Sequence, residues 1–224
     1  MKKITKILLT CLIILGIATI PSKAFTEVDV RYGELDVEQF YNYQKKYEAY
    51  DVGVCAANST KTYMDYRAVT LTTSAQYRYM RNYMTVDGNT GLLYDKDGFI
   101  GVALGSYYGW IGDRFYFTLS NGQVIPVVKI DAKSDAHVSG GCAHLNDGSV
   151  IEFVIHTGYA GDYFGRASNG YVSWGNFNNS PLFNGRIVKV EKVTGNISAN
   201  YVEYVDDLPT NIDNENIFNY ASGY

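Results

Sequence analysis

"FIGVALGSYYGWIGDRFYFTLSNGQVIPVVKIDAKSDAHVSGGCAHLNDGSVIEFVI", residues 99–155, reads as four apolar runs separated by turn residues. The runs are "FIGVAL" (99–104), "RFYFTL" (114–119), "VIPVVKI" (124–130) and "SVIEFVI" (149–155). Each is short, rich in β-branched and aromatic residues, and bounded by Gly, Asn or Asp, which is the pattern of strands. Asn121-Gly122 joins the second and third runs and predicts a two-residue type I′ hairpin. A last strand, "RIVKVEKV" (186–193), follows Gly- and Asn-rich sequence from Gly158 to Asn179. Short strands, Gly-rich turns and no alternating helices predict a mainly β fold, a small barrel rather than a parallel α/β sheet.

Upstream of these runs the periodicity changes. Asp36 is placed to cap a helix through Gln39, with Phe40, Tyr43 and Tyr47 at helical spacing. A second helix is expected from Thr73, with Gln76 completing a capping box and Tyr77, Met80 and Met84 forming one apolar stripe. The portion from Tyr66 to Thr72 between them has the composition of a strand.

The N-terminus speaks to compartment. Lys2, Lys3 and Lys6 precede an apolar run from Ile7 to Ile20, and Ser22-Lys23-Ala24 places small residues where a signal peptidase reads them. The run is shorter than the roughly 20 residues of a membrane span, so residues 1–24 are expected to be a signal peptide and the mature chain to carry no membrane segment. Cys11 precedes the apolar core and so does not fit a lipoprotein anchor. Loss of the leader removes four lysines and no acids, leaving 15 basic and 23 acidic residues, a formal charge of −8. A chain so acidic lacks the basic patch that phosphate binding needs, which excludes nucleic acid as the expected partner. Export leaves Cys55 and Cys142, which either bridge in an oxidising compartment or remain free thiols. The acidic segment after Val205 is expected to be a loose tail.

Residues 129–153 concentrate the candidate chemistry. Asp131, Asp135, His137, Cys142, His144, Asp147 and Glu152 all fall there. His137 and His144, with Asp135 and Cys142, have the atoms for a zinc site, but the spacing matches no recognised ligand pattern, so neither a metal nor a cofactor is expected. Cys142 beside His144 or His137 has the residue types of a nucleophile and base, without a cysteine-protease signature around it. Asp147-Gly148 reads as a turn. Strand alternation puts Glu152 on one face with Val150, Val154 and His156. An acid on such a face is either functional or satisfied by backbone or Lys133 hydrogen bonds.

Val102-Ala103, Ile111-Gly112, the following hairpin, Asp131 at a strand end and Glu152 inside the next strand together resemble the double-psi β-barrel family. The similarity is to 3D domains, rare lipoprotein A and MltA-like lytic transglycosylases, and among these to exported Gram-positive or phage-associated proteins. "KTYMDYRAVT" (61–70) extends it upstream. The resemblance implies a small six-stranded double-psi β-barrel over residues 61–205, preceded by a helical extension (25–60) and followed by an acidic tail (206–224). It departs from the family at Leu104-Gly105-Ser106, where one of three acids is missing, and after Asp131, where a Thr-Gly-Gly turn is replaced.

The same resemblance implies catalytic roles for Glu152, at the position of the family's catalytic Asp, and for Asp131. Lytic cleavage of a glycosidic bond needs one carboxyl to protonate the leaving oxygen and then withdraw the hydroxyl proton that closes an anhydro ring. Such a carboxyl needs a raised pKa, which burial or a neighbouring carboxylate supplies. Asp135, His137, His144, Tyr107, Tyr108 and Trp110 are the expected substrate contacts, the rings by stacking on sugar C–H faces or, equally, by ordinary packing. Tyr159, Tyr163, Tyr171 and Trp174 are expected in packing. Three functions follow: a monomeric exported enzyme acting on peptidoglycan glycan, a wall-polysaccharide-binding module that does not cut, and an interaction protein using its Tyr-rich surface.

Overall fold

The computed structural model describes residues 32–33, 43–164, 174–177, 180 and 182–194. The proposed leader, most of the first expected helix, the region around Tyr171 and the C-terminal tail lie outside the described residues. The fold is mainly β. Eleven strands join in one mixed sheet, and among the described residues its ladders run open rather than closing into a ring.

Strand β6 (Ile100–Leu104) is the hub. It runs parallel to β8 (Val124–Ala132) on one side; on the other it is antiparallel to β5 (Leu93–Tyr94) near its start and to β11 (Glu152–Ile155) near its end. Beyond β8 come β7 (Arg114–Leu119), β13 (Ile187–Val193) and β2 (Ala49–Asp51), all antiparallel. Beyond β11 come β3 (Thr62–Asp65), in parallel, and β12 (Trp174–Asn176). Beyond β5 lie β4 (Thr85–Asp87) and β1 (Tyr32–Gly33). A separate hairpin pairs β9 (Val138–Ser139) with β10 (Ala143–His144).

The period of two along these strands sorts their side chains into two cores. Val102, Leu104, Phe115, Phe117, Phe153 and Ile155 lie on one side with Tyr108, Phe177 and Phe183. Ala103, Tyr116 and Val154 lie on the other, with Met80 and Met84 from the helical segment. A sheet covered on both faces explains why β6 is apolar at every position rather than alternating.

Several expectations shift. Helix α1 spans Ala75–Tyr83 and is capped by Ser74, not Thr73, because the Ser74 hydroxyl accepts from Tyr77 N at 3.1 Å. The strand expected at 66–72 lies earlier, as β3. The Asp65 carboxylate accepts from Arg67 N at 2.9 Å and turns the chain into a 3₁₀ turn over Tyr66–Ala68. Tyr43 and Tyr47 are not helical: Tyr47 N donates to the Tyr116 hydroxyl, and the two rings pack on Tyr116 and Phe99. Their spacing of four therefore reflects an irregular segment lying over the sheet. The 119–123 turn is a three-residue loop, closed by Leu119 N to Gln123 O, with Gly122 alone left-handed at φ 87°. Asn121 keeps a negative φ, so the type I′ form is replaced by a three-residue loop ending in a left-handed glycine.

The segment before Lys61 is part of this sheet. Strand β2 pairs with β13, and Cys55 is disulfide-bonded to Cys142, 87 residues away. Lys61 is fully buried, its ammonium donating to Ser59 O and Gly185 O, which joins the start of β3 to the turn before β13. A second α-helix, α2, covers Thr157–Phe164; its first residue donates through N and Oγ1 to the Asp65 carboxylate. No helix among the described residues is long and apolar enough to cross a membrane.

Gly105 and Gly141 meet so closely that a Cβ on Gly105 would lie 1.9 Å from Gly141 O. Gly105→Ala is therefore expected to force the two loops apart and destabilise the protein by about 1–3 kcal/mol, the usual cost of overpacking. A urea titration against the parent checks this; an unchanged midpoint would mean that the loops do not pack in this way.

Candidate functional site

Ala103 on β6 organises the candidate site. Asp131 of β8 lies opposite Ala103 on one side and Glu152 of β11 on the other, with a bulge before Asp131. Two strand spacings put their backbones roughly 10 Å apart. The topology thus brings a strand end and a later strand start to one place, although they are separated by the whole 134–148 loop.

The two acids have unlike environments. Asp131 is 8 % exposed, and its Oδ1 accepts from Ala132 N at 2.8 Å. Burial, reinforced by the negative charge of Glu152, raises its pKa to about 7, against the opposing pull of the Ala132 N–H and the Lys129 ammonium. Glu152 is half-buried, and its carboxylate makes no hydrogen bond or ion pair to the described residues. Lys133 is close enough to feel its charge. Burial lowers the Lys133 pKa, while Glu152 and Asp147 act in the opposite sense. The ammonium is anchored at 3.0 Å to both Ser149 O and Ser149 Oγ, and not to Glu152. Of the two expected catalytic acids, then, only Glu152 offers a carboxylate to solvent. Asp131, enclosed in the sheet, does not.

A second buried lysine holds the adjoining turn. Lys129 donates to Gly105 O at 3.0 Å and Gly109 O at 2.6 Å, and burial lowers its pKa to about 8, with Asp113, Asp135 and Asp131 opposing. Hydrogen bonds to carbonyls make the burial of such a cation tolerable. Sequence reasoning passed over Lys129. Its one legible signal is a lone cation in the otherwise apolar run "VIPVVKI".

The 134–148 loop gathers the other expected contacts. The β9–β10 hairpin turns at Gly140 and Gly141, both left-handed (φ 58° and 67°). The His137 and His144 rings lie 6.3 Å apart, and Leu145 N donates to His137 O. Asp135 accepts from the Ser106 hydroxyl at 2.8 Å, and Tyr107 N donates to Gly141 O, so this loop is stitched to the 105–109 turn. Asp147 accepts from Ser149 N, as a turn residue does. Among the described residues no three His, Cys, Asp or Glu side chains converge as metal ligands would. Cys142 has no free thiol for zinc or for nucleophilic attack, since it is bonded to Cys55.

The aromatic contacts divide. Tyr107 (48 % exposed) and Trp110 (59 %) face solvent. Tyr108 does not: at 2 % exposure it packs against Phe115 and Phe117, and its hydroxyl donates to Cys55 Sγ at 3.0 Å. Alternate side chains of a 3₁₀ turn point to different sides, so adjacent tyrosines separate into one core and one surface ring. Tyr159 stacks on His156 at 4.2 Å, in keeping with packing. Comparison of the chain with family models, with curated proteins and with solved structures finds no match in any of the three.

Asp131 supplies a pH signature. An acid whose folded pKa lies above its unfolded value of about 3.9 binds its proton more tightly when folded, so its contribution favours folding at low pH and is lost as pH rises through 7. Between pH 4 and 7 this one group lowers stability by at most about 1.4 kcal/mol per pH unit. Asp131→Asn is expected to flatten that part of the stability–pH curve, measured by denaturant titration across the window. Parallel curves for the two proteins would show that Asp131 titrates normally.

Proposed function

We propose that this chain is an exported, cell-wall-associated protein that acts on peptidoglycan glycan, with Glu152 as the acid–base group and Asp131 as the buried carboxyl that accompanies it. One observation carries the reading: a half-buried carboxylate that, among the described residues, has no hydrogen bond or ion pair, set one strand away from a buried carboxyl whose ionisation is suppressed. A carboxylate that no neighbour holds and that solvent reaches is free to exchange a proton with a ligand. In lytic cleavage Glu152, protonated, donates to the glycosidic oxygen. As carboxylate it then takes the hydroxyl proton that closes the anhydro ring, and so returns to its starting state.

Export is proposed from the leader-like residues 1–24, and the disulfide accords with an oxidising compartment. The double-psi β-barrel is proposed as the family from residues 61 onward. Its support is the pair of parallel ladders, β6 with β8 and β3 with β11, within an otherwise mostly antiparallel sheet. Peptidoglycan or a related polysaccharide is the proposed partner of a monomer.

A second reading, glycan binding without cleavage, draws on the burial of Asp131, which leaves one accessible acid of the pair. The two are separated by incubating purified sacculi with the protein from pH 4 to 8 and assaying released muropeptides. Anhydro-muropeptides are expected from the wild type, with release reduced by about 100-fold or more in Glu152→Gln, the scale of a lost general acid. No release from the wild type at any pH, with sedimentation on sacculi retained, leaves the binding module.

A further inference from the structure

We infer that Tyr50, Tyr107 and Trp110 form a sugar-stacking platform around the Asp113–Lys192 ion pair, a glycan subsite separate from Glu152. The inference deepens the proposed function, on which it rests for the choice of a wall glycan as ligand. The three residues are distant in sequence, yet the hydrogen bonds bring them to one corner. Tyr50 lies opposite Lys192 in the β2–β13 ladder. Lys192 Nζ donates to Asp113 Oδ2 at 2.8 Å, and the same oxygen accepts from Trp110 N at 2.8 Å. The Tyr107 hydroxyl donates to Val52 O, two residues beyond Tyr50. All three rings are about half-exposed or more, Tyr50 at 51 %.

Two features mark the corner as built rather than incidental. The first is rigidity. Lys129, almost fully buried, holds both Gly105 O and Gly109 O, Asp113 N donates back to Trp110 O, and Gly109 and Gly112 adopt the left-handed conformation. A Cβ on Gly109 would lie 2.3 Å from Asp113 Oδ2, so the turn admits nothing larger there. Rings held in this way lose little conformational entropy on binding. The second is chemistry. The rings flank a carboxylate and an ammonium, each partly exposed. A protein interface of useful size wants a contiguous apolar centre, whereas a pyranose presents apolar C–H faces to rings and hydroxyls to charged acceptors and donors at its rim. The platform lies on the β13–β2 side of the sheet, and Glu152 lies across β6 on the other, so a glycan chain rather than a single sugar is the ligand that would engage both.

The test uses the whole protein with insoluble sacculi and with soluble N-acetylglucosamine hexamer as probes. Tyr50→Ala/Trp110→Ala is expected to weaken sacculus sedimentation and hexamer affinity by about tenfold or more, as loss of two stacking contacts implies. Its thermal midpoint should match the parent, because both rings are exposed. Tyr50→Phe/Trp110→Phe should restore most of the affinity, which a role for the hydroxyl or indole N–H alone would not. Equal affinity of the parent and the Ala double variant overturns the platform, even if Glu152→Gln abolishes glycan release. Loss of affinity in the double variant, with no release from the wild type, upholds the platform and removes only the cleavage. A wild type that binds neither probe overturns both.

Discussion

The register of β6 against its two neighbours is the constraint on which the rest of the molecule depends. Ala103 can face Asp131 on one side and Glu152 on the other only while β8 and β11 both keep their present alignment. A slip of one residue would turn every side chain of the slipped strand to the opposite core. Such a slip in β11 would bring Phe153 and Ile155 into the layer that holds Val154, and carry Glu152 to the other face. Burial of both sheet faces therefore does more than stabilise the fold. It specifies the position of the acid pair.

Buried lysines complete what the strands begin. Lys61, Lys129 and Lys133 are each almost wholly enclosed and each donates to backbone carbonyls of loops far from it in sequence. An ammonium in such a place is costly unless its donors are used, and loop carbonyls left without it would be equally costly. The consequence is mutual: the loops supply acceptors the lysines need, and the lysines hold the loops in place. The Cys55–Cys142 disulfide adds a covalent link at the same end of the sheet and limits how far the unfolded chain can spread. The 105–113 turn and the 134–148 loop, which carry most of the candidate contacts, are thereby fixed from three sides.

The acids illustrate how one environment yields two chemistries. Asp131 and Glu152 carry the same carboxyl group with similar intrinsic pKa values. Enclosure, with a like charge nearby, suppresses ionisation of the first; the second keeps contact with solvent and has no bonded partner among the described residues. This difference explains why an acid pair that looks symmetrical along the chain is unsymmetrical in space.

Much of the β framework was legible. The runs at 114–119 and 186–193 become β7 and β13 almost residue for residue, because apolar and β-branched patterning bounded by Gly and Asn is a local property. Ser74 rather than Thr73 as the cap, and Gly122 rather than Asn121-Gly122 as the turn, are misreadings by one residue, set by which hydroxyl or backbone reaches its partner. Larger departures have a tertiary cause. Tyr43 and Tyr47 share a helical spacing but pack, tilted, on Tyr116 and Phe99, and Tyr108 sinks into the core beside its exposed neighbour Tyr107. The chain alone thus determined the strands, the acids that compete for attention and the cysteines able to bond. Which acid meets solvent, which lysines are enclosed and which rings share a corner were decided only by the packing, since each depends on contacts between segments that no local pattern relates.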